Sequence, residues 1–275
     1  MLQIPEVKLR DGRKIQQLGV GTYKLEPANT LEIVGAALEL GYRHIDTAKI
    51  YRNEVEVGQA LATSSVARDD VWVTTKLWHD EHDDAIGALQ RSLERLQLES
   101  VDLFLIHWPV PKLGTAWRAW QDIIEAQQRG LVKSIGVSNF EIPHLERIMA
   151  ETGVVPAVNQ IEVHPHHQRR KLRDFCAAHE IAVESWSPLA RGRAELMQER
   201  AVVKAAQAHN VTAAQVVLRW HLQHGLIVFP KTSRVARLAE NAKALDFELT
   251  SEQMLELDAL EIVAASGSNP YDFNG

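Results

Sequence analysis

VWVTTK at Val71–Lys76 is a short β-prone run that ends in a charged residue, and two further runs have the same form. GYRHID ends at Asp46 and DLFLIH ends at His107. If each run is a parallel strand of a closed barrel, its last residue lies at the carboxyl-terminal mouth, where such barrels carry their chemistry. Tyr51 follows Asp46 closely and would lie in the loop after the same strand. The pattern therefore predicts that four proton-exchanging side chains meet at one rim.

Short β-prone runs alternate with helical patterns along the whole 275-residue chain. Eight such runs, with no Pro-, Ser- or Gly-rich linker between them, predict an (α/β)8 TIM barrel, a fold that typically needs about 250 residues. We therefore expect residues 1–275 to form a single barrel domain. The predicted strands are Leu18–Gly21, Arg43–Asp46, Val71–Lys76, Asp102–His107, Ser134–Ser138, Val158–Glu162, Val183–Ser187 and Ile227–Pro230.

Features outside these eight units predict additions to the barrel. Val7–Ile15 centres on Asp11-Gly12, a dipeptide typical of hairpin turns, and predicts an N-terminal β-hairpin that closes the bottom of the barrel. An extra helix is predicted around Gln198–His209, in the longest interval between strands. The competing doubly wound nucleotide fold would need a G-x-G-x-x-G turn, and the third glycine is absent after Gly19-Val-Gly21.

Several residues indicate where the helices begin and end. Thr30 and Asp84 are predicted N-caps, and Gly41 is predicted to end the first helix. Thr212 and Thr250 each have the spacing of a capping box before an apolar run. These boundaries separate the predicted helices from the strands that flank them.

The overall composition is that of an ordinary globular protein, with 45% hydrophobic and 24% charged residues. A net charge of −6 gives no general attraction to polyanions, so we expect no nucleic-acid partner. No stretch approaches the roughly 18 apolar residues of a membrane span, and the N-terminus lacks the apolar segment of a signal peptide. The single cysteine, Cys176, excludes an intramolecular disulfide. We expect a cytoplasmic protein, and a monomer is one state that the sequence allows.

The four polar residues at the predicted rim suit acid–base chemistry. A free tyrosine has a pKa of about 10, too high for efficient proton exchange at neutral pH. The ammonium group of Lys76 would favour the Tyr51 phenolate, and the Asp46 carboxylate would fix the position and charge of the lysine. His107 could orient a carbonyl oxygen or share the proton. Each residue alone has an ordinary structural explanation, but the four together predict one site.

A basic, hydroxyl-rich segment follows the last predicted strand. Its members are Lys231, Thr232, Ser233 and Arg237. They lie at the expected start of a helix, and cations at a helix N-terminus form an anion site. The segment therefore predicts a local site for an anionic cofactor in a chain whose net charge is negative.

Three longer segments resemble the signature segments of the aldo-keto reductase superfamily. They are GYRHIDTAKIYRNEVEVG (Gly41–Gly58), IIEAQQRGLVKSIGVSNF (Ile123–Phe140) and PKTSRVARLAENAKA (Pro230–Ala244). The resemblance implies an (α/β)8 barrel that reduces carbonyl compounds with NADPH and without a metal. It implies that Tyr51 donates the proton and that Lys76 and Asp46 tune it. His107 would contact the carbonyl of the substrate.

The resemblance also assigns the rest of the barrel mouth to ligands. Ser138, Asn139 and Gln160 would hold the nicotinamide carboxamide. Trp186, where many members have tyrosine, would stack on the nicotinamide ring. The basic segment would bind the ribose 2′-phosphate, which predicts a preference for NADPH over NADH. The implied cofactor residues are Gly21, Thr22, Asp46, Ser138, Asn139, Gln160, Trp186, Ser187, Leu189, Lys231, Thr232, Ser233, Arg237, Glu240 and Asn241. The implied substrate residues are Tyr23, Tyr51, Trp78, His107 and Trp108.

The substrate is less determined than the chemistry. Only VAASGSNPYDFNG follows Ile262, whereas longer C-terminal loops supply much of the substrate selectivity of animal members of the family. The short tail resembles bacterial members that reduce methylglyoxal, assorted aldehydes and diketo-gluconates such as 2,5-diketo-D-gluconate. A small-molecule carbonyl compound is therefore the expected substrate, and its identity stays open.

Two other functions are compatible with the same fold. One is a non-catalytic, NADPH-binding regulatory barrel like the channel β-subunits, and the intact set of four polar residues argues against it. The other is a metal- or phosphate-dependent barrel lyase or isomerase, which fold alone does not exclude. Three histidines within Glu162–His167 could bind zinc, but no set of carboxylates or cysteines converges with them in the sequence. We predict a surface or loop role for these histidines and no metal.

Overall fold

Eight parallel strands form a closed barrel, as the sequence predicts. The computed structural model describes residues 2–262, 265 and 267–273. The barrel strands are β3 (Val20–Gly21), β4 (His44–Asp46), β5 (Trp72–Leu77), β6 (Val101–Ile106), β7 (Val132–Ser138), β8 (Val158–Glu162), β9 (Ala182–Trp186) and β10 (Ile227–Val228). They lie side by side in chain order, and each pairs in parallel with the next. Parallel bridges from Leu18 to Val228 and from Gly21 to Lys231 close the ring.

Helices cover the outside of this barrel. They are α1 (Pro27–Leu40), α2 (Glu54–Thr63), α3 (Ala85–Leu96), α4 (Ala116–Gln128), α5 (Ile142–Thr152), α6 (Arg170–Ala178), α7 (Ala194–Gln198), α8 (Arg200–His209), α9 (Ala213–Gln223), α10 (Ala236–Ala242) and α11 (Ser251–Asp258). Their buried side chains, such as Ile33, Leu89 and Ile123, form the main core with the outer face of the strands. In the described part of the chain, no helix has both the length and the apolar character that a membrane crossing requires.

An N-terminal hairpin closes the bottom of the barrel, as predicted. Its strands β1 (Glu6–Lys8) and β2 (Lys14–Gln16) pair antiparallel around the Asp11-Gly12 turn. Leu9 and Ile15 of the hairpin are buried in one cluster with Trp72, the first residue of β5. Because Trp72 lies at the amino-terminal end of its strand, the hairpin packs at the end of the barrel opposite to the mouth.

Several helix ends follow the sequence signals. Gly41 ends α1 with a φ of 110°, a conformation that residues with a Cβ rarely adopt. Thr212 and Thr250 both form complete capping boxes, in which the threonine hydroxyl accepts from the backbone N–H three residues later. In turn, the side-chain oxygens of Gln215 and Gln253 accept from the backbone N–H of Thr212 and Thr250.

One predicted N-cap, Thr30, is wrong, and the other, Asp84, has the predicted position but makes no capping bond. Helix α1 begins at Pro27, one turn before Thr30, because a proline fits the first helical position without losing a hydrogen bond. Thr30 lies inside the helix, and its hydroxyl donates back to the Glu26 carbonyl oxygen at 3.0 Å. Asp84 precedes α3 as predicted, but its carboxylate makes no capping bond and pairs with Arg91 at 2.9 Å.

Some predicted boundaries shift by a residue or two. His107 lies directly after β6 and Ser187 directly after β9, so both belong to the loops of the mouth. The last strand, β10, ends at Val228 and not at Pro230. The helix predicted around Gln198–His209 is two helices, α7 and α8, with a break at Glu199.

Gly136 inside β7 allows the barrel strands to approach one another. A Cβ at this position would lie 2.6 Å from the Val158 carbonyl oxygen and 2.8 Å from a methyl group of Leu105. We expect Gly136→Ala to lower the free energy of unfolding by about 1–3 kcal/mol because the added methyl overpacks the interior. Gly35→Ala is the matched control, since a Cβ in this part of α1 meets nothing within 4 Å. It should be neutral or stabilising by about 0.5–1 kcal/mol. Urea titration measures both, and equal effects would contradict the packing argument.

Candidate active site

A buried ion pair between Asp46 and Lys76 lies at the centre of the barrel mouth. Asp46 is the last residue of β4, and Lys76 is the second-last residue of the adjacent β5. The Lys76 Nζ lies 2.7 and 2.8 Å from the two carboxylate oxygens of Asp46 and donates to the Thr47 carbonyl oxygen at 2.8 Å. Both side chains are almost inaccessible to solvent. The pairing compensates two charges that burial would otherwise disfavour strongly.

Tyr51 is brought to this pair by a single helical turn after β4. Its hydroxyl oxygen lies 3.4 Å from the Lys76 Nζ, and the ammonium lies 5.0 Å from the centre of its ring. Burial raises the pKa of Tyr51 well above 10, and the charge of Asp46 and the nearby Tyr23 act in the same direction. The sequence predicted that Lys76 would favour the phenolate, but the pKa of Tyr51 is raised, and burial is the largest cause. Tyr51 is therefore a neutral phenol at physiological pH.

His107 lies across the mouth from Tyr51. Their ring centres are 5.8 Å apart, and the ring of Trp78 lies 5.0 Å from that of His107. Burial lowers the pKa of His107 well below 6.5, and the nearby Lys76 adds to this effect. His107 is thus an uncharged imidazole with one N–H to donate. The structure brings all four residues predicted at the rim into one cluster.

Gln160 of β8 links the cluster to Glu184, a residue that the sequence analysis did not place at the site. Its amide nitrogen donates to Asp46 at 2.9 Å and to Glu184 of β9 at 2.7 Å. Burial raises the pKa of Asp46, whereas the Lys76 ammonium and the hydrogen bond from Gln160 act in the opposite direction. Glu184 was missed because a single glutamate in Val183–Ser187 gives no information about the distant residues it will meet. The available signal was a charged residue in the interior of a predicted core strand.

Ser138, Asn139 and Trp186 meet beside His107, as expected for residues at neighbouring strand ends. The Asn139 amide nitrogen donates to the His107 carbonyl oxygen at 2.9 Å and to the Ser138 hydroxyl at 3.1 Å. The Trp186 indole N–H donates to the Asn139 side-chain oxygen at 2.9 Å. The hydroxyl of Ser138 donates to the backbone carbonyl oxygen of Gln160 at 2.8 Å. These groups form a chain of protein–protein bonds that fixes the orientation of the indole.

Gly21 and Thr22 lie next to Asp46 at the barrel mouth. The Thr22 hydroxyl is fully buried and donates to the Asp46 carbonyl oxygen at 3.1 Å. A Cβ on Gly21 would lie 2.6 Å from the Phe229 carbonyl oxygen, so the strand pairing itself requires glycine here. Both residues therefore help to position the ion pair.

Aromatic side chains surround the cluster on the solvent side. Tyr23 is half exposed, and its ring lies 5.0 Å from that of Tyr51. Trp108 stacks on Phe273 of the C-terminal tail, with ring centres 4.2 Å apart, and Phe273 also meets the edge of Trp78 at 6.1 Å. The predicted substrate residues thus lie together on the aromatic wall of the mouth. Phe273 belongs to the same wall and was not among the predicted residues. An aromatic residue in the short tail was the sequence signal for it.

The loop after β9 has an unusual backbone. Ser187, Ala190 and Arg191 have φ angles of 50°, 48° and 57°. Leu189, predicted to line the cofactor path, packs partly against the main core. Positive φ values at non-glycine positions cost energy and are retained where the surrounding structure determines them, often at ligand sites.

The predicted basic segment lies beyond β10 and is open to solvent. Lys231, Ser233, Arg237 and Glu240 are exposed, whereas Thr232 and Asn241 are buried. Within the described residues, neither Lys231 nor Arg237 forms an ion pair. Helix α10 begins only at Ala236 and is short, so the predicted anion site depends on these cations and not on a helix N-terminus. The parallel bridge from Gly21 to Lys231 connects the segment to the mouth.

The histidine-rich segment after β8 is a buried turn. His164, His166 and His167 are at most 8% exposed, so the predicted loop role is confirmed and a surface role is wrong. His164 lies 3.2 Å from Glu162, and His166 lies 2.8 Å from Glu199. Among the residues that the structure describes, no group of His, Cys, Asp or Glu could hold a metal ion.

Comparison with known proteins agrees with the fold. The sequence matches the model of the Aldo/keto reductase family over residues 16–262. The chain belongs to this family. Methylglyoxal reductase DkgA of Yersinia pestis is 48% identical to it over 273 residues, which cover 99% of both chains. The predicted superfamily and the class of oxidoreductase are thereby confirmed.

Solved structures of similar proteins superpose on almost the whole chain. A Gox0644 mutant in complex with NADPH has a TM-score of 0.94 and 42% identity, with coverage of 98% of this chain and 99% of that chain. A Bombyx mori aldo-keto reductase in complex with NADP has a TM-score of 0.90 and 33% identity, with coverage of 98% and 96%. These agreements confirm the predicted barrel, and both neighbours hold the type of cofactor that the sequence predicts.

The ion pair in the aldo/keto reductase mouth should be essential for stability. We expect Lys76→Met to lower the free energy of unfolding by about 3–5 kcal/mol, because it leaves the buried Asp46 carboxylate without a partner. Lys49→Met is the control, since it removes the partly exposed pair with Asp80, and should cost less than about 1 kcal/mol. The loss caused by Lys76→Met should shrink on acidification, as Asp46 takes up a proton. Urea titrations at several pH values measure this, and a loss as small as that of the control would contradict it.

Proposed function

We propose that this chain reduces an aldehyde or ketone to the alcohol with NADPH as its cofactor. The observation that carries the proposal is the neutral phenol of Tyr51, 3.4 Å from the buried ammonium of Lys76 and across the mouth from His107. Membership of the aldo/keto reductase family supports it, as do the neighbours solved with NADPH or NADP.

Tyr51 is the proton donor in this proposal. When bound, NADPH supplies a hydride to the carbonyl carbon. As negative charge develops on the substrate oxygen, the Tyr51 hydroxyl gives it a proton. The phenolate that remains is stabilised by the Lys76 ammonium, whose own charge is held by Asp46. The high pKa of Tyr51 before the reaction keeps the proton available at physiological pH.

His107 positions the substrate carbonyl. Because burial lowers its pKa, the imidazole is neutral and offers one N–H donor without competing with Tyr51 as an acid. A donor aimed at an oxygen that becomes negative stabilises the transition state more than the ground state. The ring of Trp78 packs edge-on against His107 and holds its plane.

The cofactor contacts extend from the mouth to the basic segment. The indole of Trp186 is fixed by Asn139 and offers a flat surface for the nicotinamide ring. Lys231 and Arg237 are exposed cations, and among the described residues neither pairs with an acid, so both fit a ribose 2′-phosphate. The remaining contacts that belong to this proposal are Gly21, Thr22, Ser138, Gln160, Ser187, Leu189, Thr232, Ser233, Glu240 and Asn241.

The basic segment should decide between NADPH and NADH. We expect Lys231→Ala and Arg237→Ala each to weaken NADPH binding by roughly tenfold to a hundredfold, the effect of one charge-assisted hydrogen bond, with little change for NADH. Lys8→Ala, at the exposed hairpin on the opposite end of the barrel, is the control and should leave both affinities unchanged. Fluorescence titration with each cofactor measures this. An unaltered preference for NADPH in both variants would refute the assignment.

The substrate that fits best is a small carbonyl compound. Tyr23, Trp78, Trp108 and Phe273 place aromatic surface around Tyr51 and His107, which excludes water from the reacting groups. The related DkgA protein of Yersinia pestis is named a methylglyoxal reductase, which favours small dicarbonyl compounds. Keto-sugars such as 2,5-diketo-D-gluconate and aromatic aldehydes are the alternatives within the same chemistry.

NADPH consumption with glyoxals, keto-sugars and aromatic aldehydes tests the proposed reaction. We expect Tyr51→Phe to lower kcat by about 10²–10⁴ for every substrate of the wild type, the usual contribution of a general acid. NADPH affinity should stay within about twofold, because the lost hydroxyl bonds only Lys76 in the described structure. Near wild-type turnover by this variant would exclude Tyr51 as the acid. No turnover by the wild type, with NADPH binding intact, would favour the non-catalytic alternative.

A further inference from the structure

Glu184 is a buried carboxyl group that the proposed mechanism does not use. It lies in the middle of β9, pairs in register with Gln160 on one side and with Ile227 on the other, and is inaccessible to solvent. A carboxyl group in such a place carries a large desolvation cost unless its contacts offset that cost. Its contacts therefore indicate what it does.

The amide of Gln160 lies between two carboxyl groups. Its nitrogen donates one hydrogen to Asp46 Oδ2 at 2.9 Å and the other to Glu184 Oε2 at 2.7 Å. The opposite amide orientation would place the Gln160 carbonyl oxygen against two carboxyl oxygens and is unfavourable. With both hydrogens committed, only the side-chain carbonyl oxygen of Gln160 stays available, and this oxygen has no hydrogen-bond partner among the described residues.

The buried surroundings of Glu184 are consistent with an uncharged acid. Burial raises the pKa of Glu184 to about 8, and the charge of Asp46 adds to this. Burial lowers the pKa of His44 to about 3, so that imidazole is neutral. His44 Nδ1 lies 3.2 Å from the Gln16 carbonyl oxygen, and His44 Nε2 lies 3.9 Å from Glu184 Oε1, which is too far for a hydrogen bond. Because Glu184 Oε2 accepts from Gln160, we assign the proton of the acid to Oε1, which has no hydrogen-bond partner among the described residues.

We propose that Glu184 is a positioning residue of the reductase site, which fixes the Gln160 amide so that its NH₂ meets Asp46 and its carbonyl oxygen is presented to the cofactor. The carbonyl oxygen of a glutamine accepts from the NH₂ of a carboxamide, the group that the nicotinamide carries. An uncharged Glu184 also leaves Lys76 paired with Asp46 alone. The role rests on the proposed NADPH-dependent reaction, since the cofactor is what the oriented amide binds.

Three variants separate positioning from a general structural role. Glu184→Leu removes the acceptor for Gln160, Glu184→Gln keeps an acceptor of the same reach, and Glu184→Asp withdraws the carboxyl by one methylene group. Ser185→Ala is the matched control, because Ser185 is equally buried on the same strand with its side chain on the opposite face. Its hydroxyl has no partner in the described structure.

NADPH affinity, measured by fluorescence titration, is the first readout. We expect Glu184→Leu to weaken binding about tenfold and Glu184→Asp to weaken it severalfold, as for the loss of one buried hydrogen bond. Glu184→Gln and Ser185→Ala should stay within about twofold of the wild type. Rescue by glutamine identifies the acceptor as the important group. If Glu184→Leu does not fold, Glu184→Asp decides, and wild-type affinity in that variant would overturn the proposal.

The pH dependence of unfolding is the second readout and needs only the wild type and Glu184→Gln. The titratable groups that face Glu184 are Asp46 and His44 of β4 and Lys76 of β5. Because the folded pKa of Glu184 lies above its ordinary value, its contribution to stability is present at low pH and is lost as the pH rises through about 8. The urea midpoint of the wild type should therefore fall relative to that of Glu184→Gln between about pH 5 and about pH 9. A difference between the two urea midpoints that does not change with pH would contradict the proposal that Glu184 is uncharged.

The outcomes distinguish this proposal from the proposed function. If the wild type binds no NADPH, the reductase function fails and the positioning role fails with it. If the wild type binds and oxidises NADPH while all Glu184 variants bind it equally well, only the positioning role fails. An equal loss in Glu184→Leu and Ser185→Ala would also overturn it, because a disturbed strand would then explain the effect.

Discussion

The pairing of Asp46 with Lys76 is the interaction on which the rest of the site depends. An ammonium and a carboxylate inside a barrel are stable only together, and the parallel strands β4 and β5 hold them 2.7 Å apart. The same burial that makes the pair necessary raises the pKa of Tyr51 and lowers that of His107. Burial thus has three consequences at the mouth. Tyr51 is a neutral acid, His107 is a neutral hydrogen-bond donor, and Lys76 is a positive charge held in place by Asp46.

The sequence predicts the cluster well because parallel strands all end at the same rim. Each of Asp46, Lys76 and His107 ends an apolar run, so a closed barrel brings them together without further information. The capping boxes at Thr212 and Thr250 are equally local and equally well predicted. Thr30 was misjudged as a cap because the helix could begin earlier at Pro27, and such competition between nearby signals is not resolved by residue type alone.

Properties that depend on distant contacts could not be read from the sequence. The proximity of Lys76 to Tyr51 suggested a lowered pKa, but the sign of the shift depends on desolvation, which is a property of the packed barrel. Phe273 stacks on Trp108, a residue far away in the chain, and an aromatic residue in the short tail does not by itself reveal which distant residue it contacts. The role proposed for Glu184 likewise follows only from its hydrogen bond with Gln160 on the neighbouring strand, which the sequence does not show.

The carboxyl groups of Asp46 and Glu184 lie in the barrel interior with a single ammonium among the described residues, that of Lys76. One positive charge can balance only one carboxylate, so the two carboxyl groups differ in protonation state. Lys76 contacts both oxygens of Asp46, whereas Glu184 is reached only through the amide of Gln160. The carboxyl nearer to the cation is therefore the one that ionises, and the farther one keeps its proton. Gln160 bonds both the ionised Asp46 and the protonated Glu184. Its NH₂ can donate one hydrogen to a carboxylate and the other to the carbonyl oxygen of an uncharged acid. The site thus keeps one buried charge pair without a second buried negative charge that Lys76 would have to balance.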